Sequence, residues 1–141
     1  MGKIFDFFEK DHREIDALFL DLRFKALAEY RGIFEEYDRR LERHIVWEET
    51  ILFPALAQKN PMFKEGPIRV MLIEHKEIRQ EKAAVIQALK KADLSDAKIH
   101  EKALASILSH HNAKEEQVLY PACDRFLEDK DVADIFSKIG T

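Results

Sequence analysis

Cross-links and chain breakers are both scarce in this sequence. A single cysteine excludes an internal disulfide. Four glycines and four prolines in 141 residues leave few places to interrupt a helix and favour long helices over many short strands. No apolar run approaches the ~20 residues that span a bilayer. The N-terminal stretch, Met1-Gly-Lys-Ile-Phe-Asp6-Phe-Phe-Glu9, carries acids among its apolar residues and lacks a cleavage site, so it does not read as a signal peptide. Asp6 stands where a myristoylation motif needs Ser or Thr. A basic excess is also missing: the net charge is −4, whereas nucleic-acid binding needs a basic stripe. The expectation is one cytoplasmic domain spanning residues 1–141, with neither nucleic acid nor membrane as a partner.

What is present is helical periodicity with histidine inside it. Phe5, Phe8, His12, Ile15, Phe19 and Leu22 follow a 3-4 rhythm. Ile33, Tyr37, Leu41, His44, Glu48 and Leu52 make a second stripe. Ile68, Leu72, His75, Ile78 and Leu89 make a third, and Leu104, Leu108, His111, Glu115 and Leu119 a fourth. Each stripe has a histidine where an apolar core residue belongs. The pattern predicts an all-α fold, an antiparallel up-down-up-down four-helix bundle with the histidines at one level.

If the helices are antiparallel, each turn falls midway between consecutive histidines. Between His44 and His75 the midpoint lies on Lys59-Asn60-Pro61, and between His75 and His111 on Ala92 to Asp96, both turn-like. Between His12 and His44 it lies at Ala28, inside Lys25–Gly32, a weaker signal. Gly66-Pro67 suits the start of the third helix, and Ser95 or Asp96 can cap the fourth. A short terminal helix is expected over 131–139.

Two phrases repeat. His44-Ile-Val-Trp-Glu48-Glu-Thr-Ile-Leu-Phe-Pro54 returns as His111-Asn-Ala-Lys-Glu115-Glu-Gln-Val-Leu-Tyr-Pro121. Residues four apart share a helix face, so each phrase presents an imidazole beside a carboxylate. The shorter unit Asp11-His12-Arg-Glu-Ile15 likewise returns as Glu74-His75-Lys-Glu-Ile78. A duplicated helical hairpin places Glu48 and Glu115 on the same side of their histidines, facing each other. The candidate metal ligands are therefore His12, His44, Glu48, His75, His111 and Glu115. Four imidazoles and two carboxylates are costly in an apolar core unless they are paired. Two metal ions sharing both carboxylates meet that need, and imidazole with carboxylate suits iron, manganese or zinc.

With these residues in place the chain resembles the hemerythrin-like family, in its HHE cation-binding group. The resemblance runs from Phe5 to about Leu127 and rests on Asp11-His12, His44-x-x-x-Glu48, Glu74-His75 and His111-x-x-x-Glu115. It implies a hemerythrin-like four-helix bundle holding two iron ions, with a bridging oxo or hydroxo group and with zinc or manganese as possible substitutes. His12, His44, His75 and His111 match terminal ligands, and Glu48 and Glu115 match bridging carboxylates. Oxygen-carrying hemerythrins use a fifth histidine on the third helix, where this chain has Met71 and Arg79. The resemblance is thus to the symmetric four-His branch. It implies binding or sensing of a small ligand such as oxygen or nitric oxide, or iron handling, with an oxidoreductase acting on peroxide or nitric oxide as the alternative. Repair of iron–sulfur clusters fits less well, because relatives that do this carry an added cysteine-bearing domain. A zinc-holding bundle that serves partner binding is a further alternative.

The remaining conspicuous residues have plainer expected roles. Glu49 and Glu116 point off the inner face and are expected to be solvated. Asp16 and Arg79 fit a rim ion pair, and His100 and His110 lie outside the site. Tyr37 and Trp47 are expected to pack, and Cys123 to be an inert, partly buried thiol. Pro54 and Pro121 are expected to kink or end their helices beyond the site.

Overall fold

The computed structural model describes residues 2–140, and among these it contains helices and turns but no strand. The fold is all-α, as the periodicity predicts. Helix α1 spans Lys3–Leu20 and α2 spans Leu27–Trp47. A π-helical turn, Glu48–Leu52, joins α2 to α3, Phe53–Lys59. The short α4, Met62–Glu65, precedes α5, Pro67–Lys90, and α6 spans Leu94–Lys114. A second π-helical turn, Glu115–Leu119, leads into α7, Tyr120–Phe126, and α8 covers Asp129–Ile139.

Neighbouring segments pair in opposite order. Going up α2, Arg31 reaches the Leu89 carbonyl, Glu42 meets Arg79 and Lys82, and Glu49 meets His75. Asp11 and Glu14 of α1 both take Arg40 of α2, while Phe19 packs on Tyr37. Glu74 meets His111 and Glu81 meets His100. The start of α1 has no cap of its own. Its Ile4 and Phe5 N–H groups donate to Asp124 of α7, each at 3.0 Å. A Cβ on Gly2 would come within 2.2 Å of that carboxyl group, which would then have to shift away from these N–H groups.

The interior consists of two apolar clusters with a polar layer between them. One cluster includes Ile15, Tyr30, Phe34, Tyr37, Val85 and Leu104; the other includes Ile4, Phe8, Leu52, Met71, Leu119 and Cys123. On each long helix the candidate histidine falls between members of the two clusters. The third stripe differs by one residue from its expected form: Met71 is buried and Leu72 is 39% exposed. From Met71 to His75 is four residues and to Ile78 seven, a tighter fit to one face. Lys82 is also buried on this stripe, held by Asp38 at 3.2 Å and Glu42 at 3.0 Å.

Two boundaries correct the sequence expectation. The first connection is not at Lys25–Gly32 but lies before Leu27, and residues 27–32 already belong to α2. Helix α2 runs past the end of α1 because its first turns have other partners. Tyr30 donates to Glu101 at 2.5 Å, and Arg31 donates to the Leu89 carbonyl at 2.6 Å. The cap of α6 is neither Ser95 nor Asp96 but Asp93, whose carboxylate accepts the Asp96 N–H at 3.0 Å. The expected terminal helix is present as α8, whose Phe136 packs on Phe7.

Helix α5 ends in a Schellman motif. Ala92 N–H donates to the Leu89 carbonyl and Asp93 N–H to the Ala88 carbonyl. Ala92 takes the left-handed position at φ 55°, where glycine avoids a Cβ clash. Ala92→Gly is therefore expected to stabilise the fold by about 0.5–1 kcal/mol, read as a shift of the urea midpoint at unchanged slope.

Candidate metal centre

Six side chains meet in the polar layer, all buried: His12, His44, Glu48, His75, His111 and Glu115. Their donor atoms form two groups, each within 4.8 Å across. One is His12, His44, Glu48 and Glu115; the other is Glu48, His75, His111 and Glu115. Both glutamates belong to both groups. Glu48 turns Oε2 to His44 Nε2 at 3.4 Å and Oε1 to His75 Nε2 at 3.2 Å. Glu115 turns Oε1 to His12 Nε2 at 3.1 Å and Oε2 to His111 Nε2 at 3.2 Å. The structure thus brings together all six candidate residues in an arrangement able to hold metal.

Each imidazole is aimed from behind by a carboxylate. His44 Nδ1–H donates to Asp11 at 2.8 Å and His12 Nδ1–H to Glu116 at 2.8 Å. His75 donates likewise to Glu49 at 2.8 Å and His111 to Glu74 at 2.9 Å. These bonds fix the tautomer that leaves Nε2 facing inward, and they raise the basicity of that nitrogen. The carboxylates have bases behind them in turn: Arg40 holds Asp11 at 3.0 Å, Arg79 holds Glu49 at 3.0 Å, and Lys114 holds Glu74. Glu49 and Glu116 do not lie in solvent as expected; they orient the imidazoles of His75 and His12. Both lie one residue past a buried glutamate, at the rim of the inner face, and a long side chain reaches sideways to the next helix. Asp11 and Glu74 do the same work from the residue before a histidine, so the repeated acid-His pair marked half of this outer set.

At the prolines the helical path continues through a change of helix type. Pro54 and Pro121 do not end their helices. Each lacks an N–H and crowds the carbonyl four residues back, and the backbone answers by widening upstream. The Phe53 N–H reaches the Glu48 carbonyl and the Tyr120 N–H reaches the Glu115 carbonyl, five residues back in both cases. Such π turns recur at functional sites. Here they begin at the two shared glutamates, and they rotate the residue five positions on toward the interior. In the second half that residue is Tyr120, which reasoning by 3.6-residue spacing missed. Its hydroxyl donates to Glu48 Oε2 at 2.6 Å and lies 3.1 Å from Glu115 Oε1. It also lies 3.1 Å from His12 Nε2 and 3.2 Å from His44 Nε2. In the first half the matching residue is Phe53, whose ring stacks on His75 with centroids 6.1 Å apart.

The electrostatics are those of a cage of acid and base. Burial alone would lower the pKa of His44, but Glu48 and Asp11 outweigh it and raise the imidazole to about 10. Burial likewise opposes, and Glu115 overcomes, the rise of His111 to about 9. Glu48 is held well below the usual carboxylate range by His44 and its neighbours, against the cost of burial. Even so, the second group leaves buried donor atoms unmatched: Glu48 Oε1, His75 Nε2 and Glu115 Oε2 make no hydrogen bond. A cation among these atoms would satisfy all three, so the residues present fit a metal.

All but one of the other candidates keep their expected roles. Arg79 bridges Glu42 and Glu49 at the rim. His100 pairs with Glu81, and His110 is exposed on the Ser106 carbonyl. Trp47 packs on Phe7 under Arg43. Cys123 is a buried free thiol whose pKa burial pushes up. Asp16 does not make the expected ion pair among the described residues; it is exposed and lines, with Arg13, Tyr37 and Glu116, a cavity of about 420 Å³.

The helices and this site define a helical cation-binding protein whose buried His/Glu cluster could hold metal. The profile of the hemerythrin HHE cation binding domain matches residues 3–123. The chain belongs to the hemerythrin family. No match was found among curated proteins or among solved structures.

Two outcomes test the site. Metal needs neutral imidazoles, so loading must expel protons from His44 and His111. Affinity for a divalent metal is expected to be higher at pH 8 than at pH 6 by chelator competition; equal affinity would contradict the protonated cage. Without metal, the stability these two histidines contribute is full below ~6.5 and is lost as pH rises through about 9 to about 10. Separately, Glu116→Gln or Asp11→Asn is expected to weaken metal binding by about 10–100-fold with helix content unchanged, checked by the same competition and by circular dichroism.

Proposed function

We propose that this chain is a non-heme di-iron protein of hemerythrin type that binds or senses a small ligand such as oxygen or nitric oxide. The observation that carries this reading is the sharing of Glu48 and Glu115 between two four-donor groups. A single ion needs only one such group; two groups joined by both carboxylates suit a pair of ions. The donors are imidazole and carboxylate, with no thiolate among them, a set that suits iron. The four long segments form an up-down-up-down four-helix bundle, supported by the opposed order of partners along each helix pair. Among the described residues no helix is long and apolar enough to cross a membrane.

When bound, iron supplies open coordination positions and electrons. The chain's own residues do the rest. His12, His44, His75 and His111 would hold the ions together with Glu48 and Glu115, and Asp11, Glu49, Glu74 and Glu116 keep the imidazole rings turned inward. Two apolar clusters wall the layer off above and below.

The test is metal analysis of iron-loaded protein followed by an anaerobic titration with oxygen. Two irons per chain and a stable, reversible spectral change are expected. Rapid irreversible oxidation with peroxide turnover would favour the oxidoreductase reading, and a protein that takes only zinc would sink both. Glu48→Ala or Glu115→Ala is expected to lose most bound metal and keep its helix content. Loading should also raise the melting temperature of the wild type, because metal binds the folded state preferentially. Two metals per chain in either variant would refute the shared-carboxylate assignment.

A further inference from the structure

The two halves of the site match at every donor except one. Behind Glu115 stands Tyr120, and at the corresponding place behind Glu48 stands Phe53. We infer that the Tyr120 oxygen is a fifth ligand of the His12–His44 position, which makes the two metal positions chemically unequal. The inference rests on the metal-binding reading above.

The geometry is that of one corner of an octahedron. With metal–donor bonds of about 2.1 Å, adjacent corners are about 3.0 Å apart, and every corner has four such neighbours. The Tyr120 oxygen has four neighbours at this spacing: Glu48 at 2.6 Å, His12 and Glu115 at 3.1 Å, and His44 at 3.2 Å. These are the four donors of the first group. Two edges among them, His12–Glu115 at 3.1 Å and His44–Glu48 at 3.4 Å, have the same scale. The phenol therefore caps a four-donor face without needing to move far. On loading, the phenol O–H bond breaks, the oxygen lone pair forms the bond to metal, and the proton leaves to solvent; no electron is transferred.

The second position has no such oxygen. Phe53 lies against His75 there, and three of the donor atoms make no hydrogen bond. An external ligand therefore enters at the His75–His111 position. A cavity of about 540 Å³ lined by Glu49, Phe53, Ile68 and Leu72 lies on that side. The asymmetry that a fifth histidine gives to other members of this fold is here supplied from the other half, by an oxygen.

A ferric ion bound by phenolate gives a charge-transfer band in the visible, with phenolate ring modes enhanced in the resonance Raman spectrum. Both are expected in wild-type protein loaded with ferric iron. The chain has three tyrosines, so assignment by substitution is complete. Tyr120→Phe should lose the band entirely, while Tyr30→Phe and Tyr37→Phe keep it. If Tyr120→Phe does not fold, retention of the band in the other two variants still assigns it to Tyr120. Two bound irons with no phenolate signature overturn this inference and leave the di-iron reading standing. A chain that binds no iron overturns both. A band that survives in Tyr120→Phe, or disappears in Tyr37→Phe or Tyr30→Phe, also overturns it.

Discussion

The structure is organised around one electrostatic constraint: two carboxylates and four imidazoles share a layer from which water is excluded. Isolated charges are prohibitively expensive there, so the groups must neutralise one another or be neutralised by cations. Everything nearby serves that end. Glu48 and Glu115 each face two imidazoles, one through each oxygen. Behind the imidazoles stand four more carboxylates, and behind three of these stand Arg40, Arg79 and Lys114. Charge alternates outward from the centre until it reaches solvent. The apolar clusters on either side hold this layer in place and supply the hydrophobic stabilisation that the layer cannot.

Proton and metal compete for the same nitrogens. Without metal, His44 and His111 keep their protons into the alkaline range because the carboxylates facing them have no other counter-charge. A cation bound in the layer would take over that role and displace the protons. The outer carboxylates are needed in both states, since they position the rings whether Nε2 carries hydrogen or binds metal.

The prolines link backbone to chemistry. A residue that cannot donate an N–H would ordinarily spoil a helix. At 54 and 121 it forces a π turn that starts at a shared glutamate, and the turn brings the residue before the proline inward. One sequence device used twice thus places Phe53 over one half of the site and Tyr120 over the other. The fold repeats almost symmetrically, and this one pair of residues breaks the symmetry where it touches the donors.

Much of this was legible in the order of residues. The 3-4 rhythm with a histidine in each stripe determined that the chain is all-helical and which six side chains lie together, because helix periodicity converts spacing directly into shared faces. The acid-His repeats and the doubled His-x-x-x-Glu phrases determined the pairing of glutamates with histidines. Tertiary structure alone decided the rest. Glu49 and Glu116 sit off the inner face of their own helices, and only the neighbouring helix shows that they reach His75 and His12. Tyr120 lies out of register for a 3.6-residue helix, and only the widened turn before Pro121 carries it in. Helix α2 starts earlier than the histidine midpoints imply because Tyr30 and Arg31 find partners on α6 and α5. The sequence determines what lies on one helix face; contacts between helices, and local departures from regular helix geometry, depend on distances that spacing along the chain does not contain.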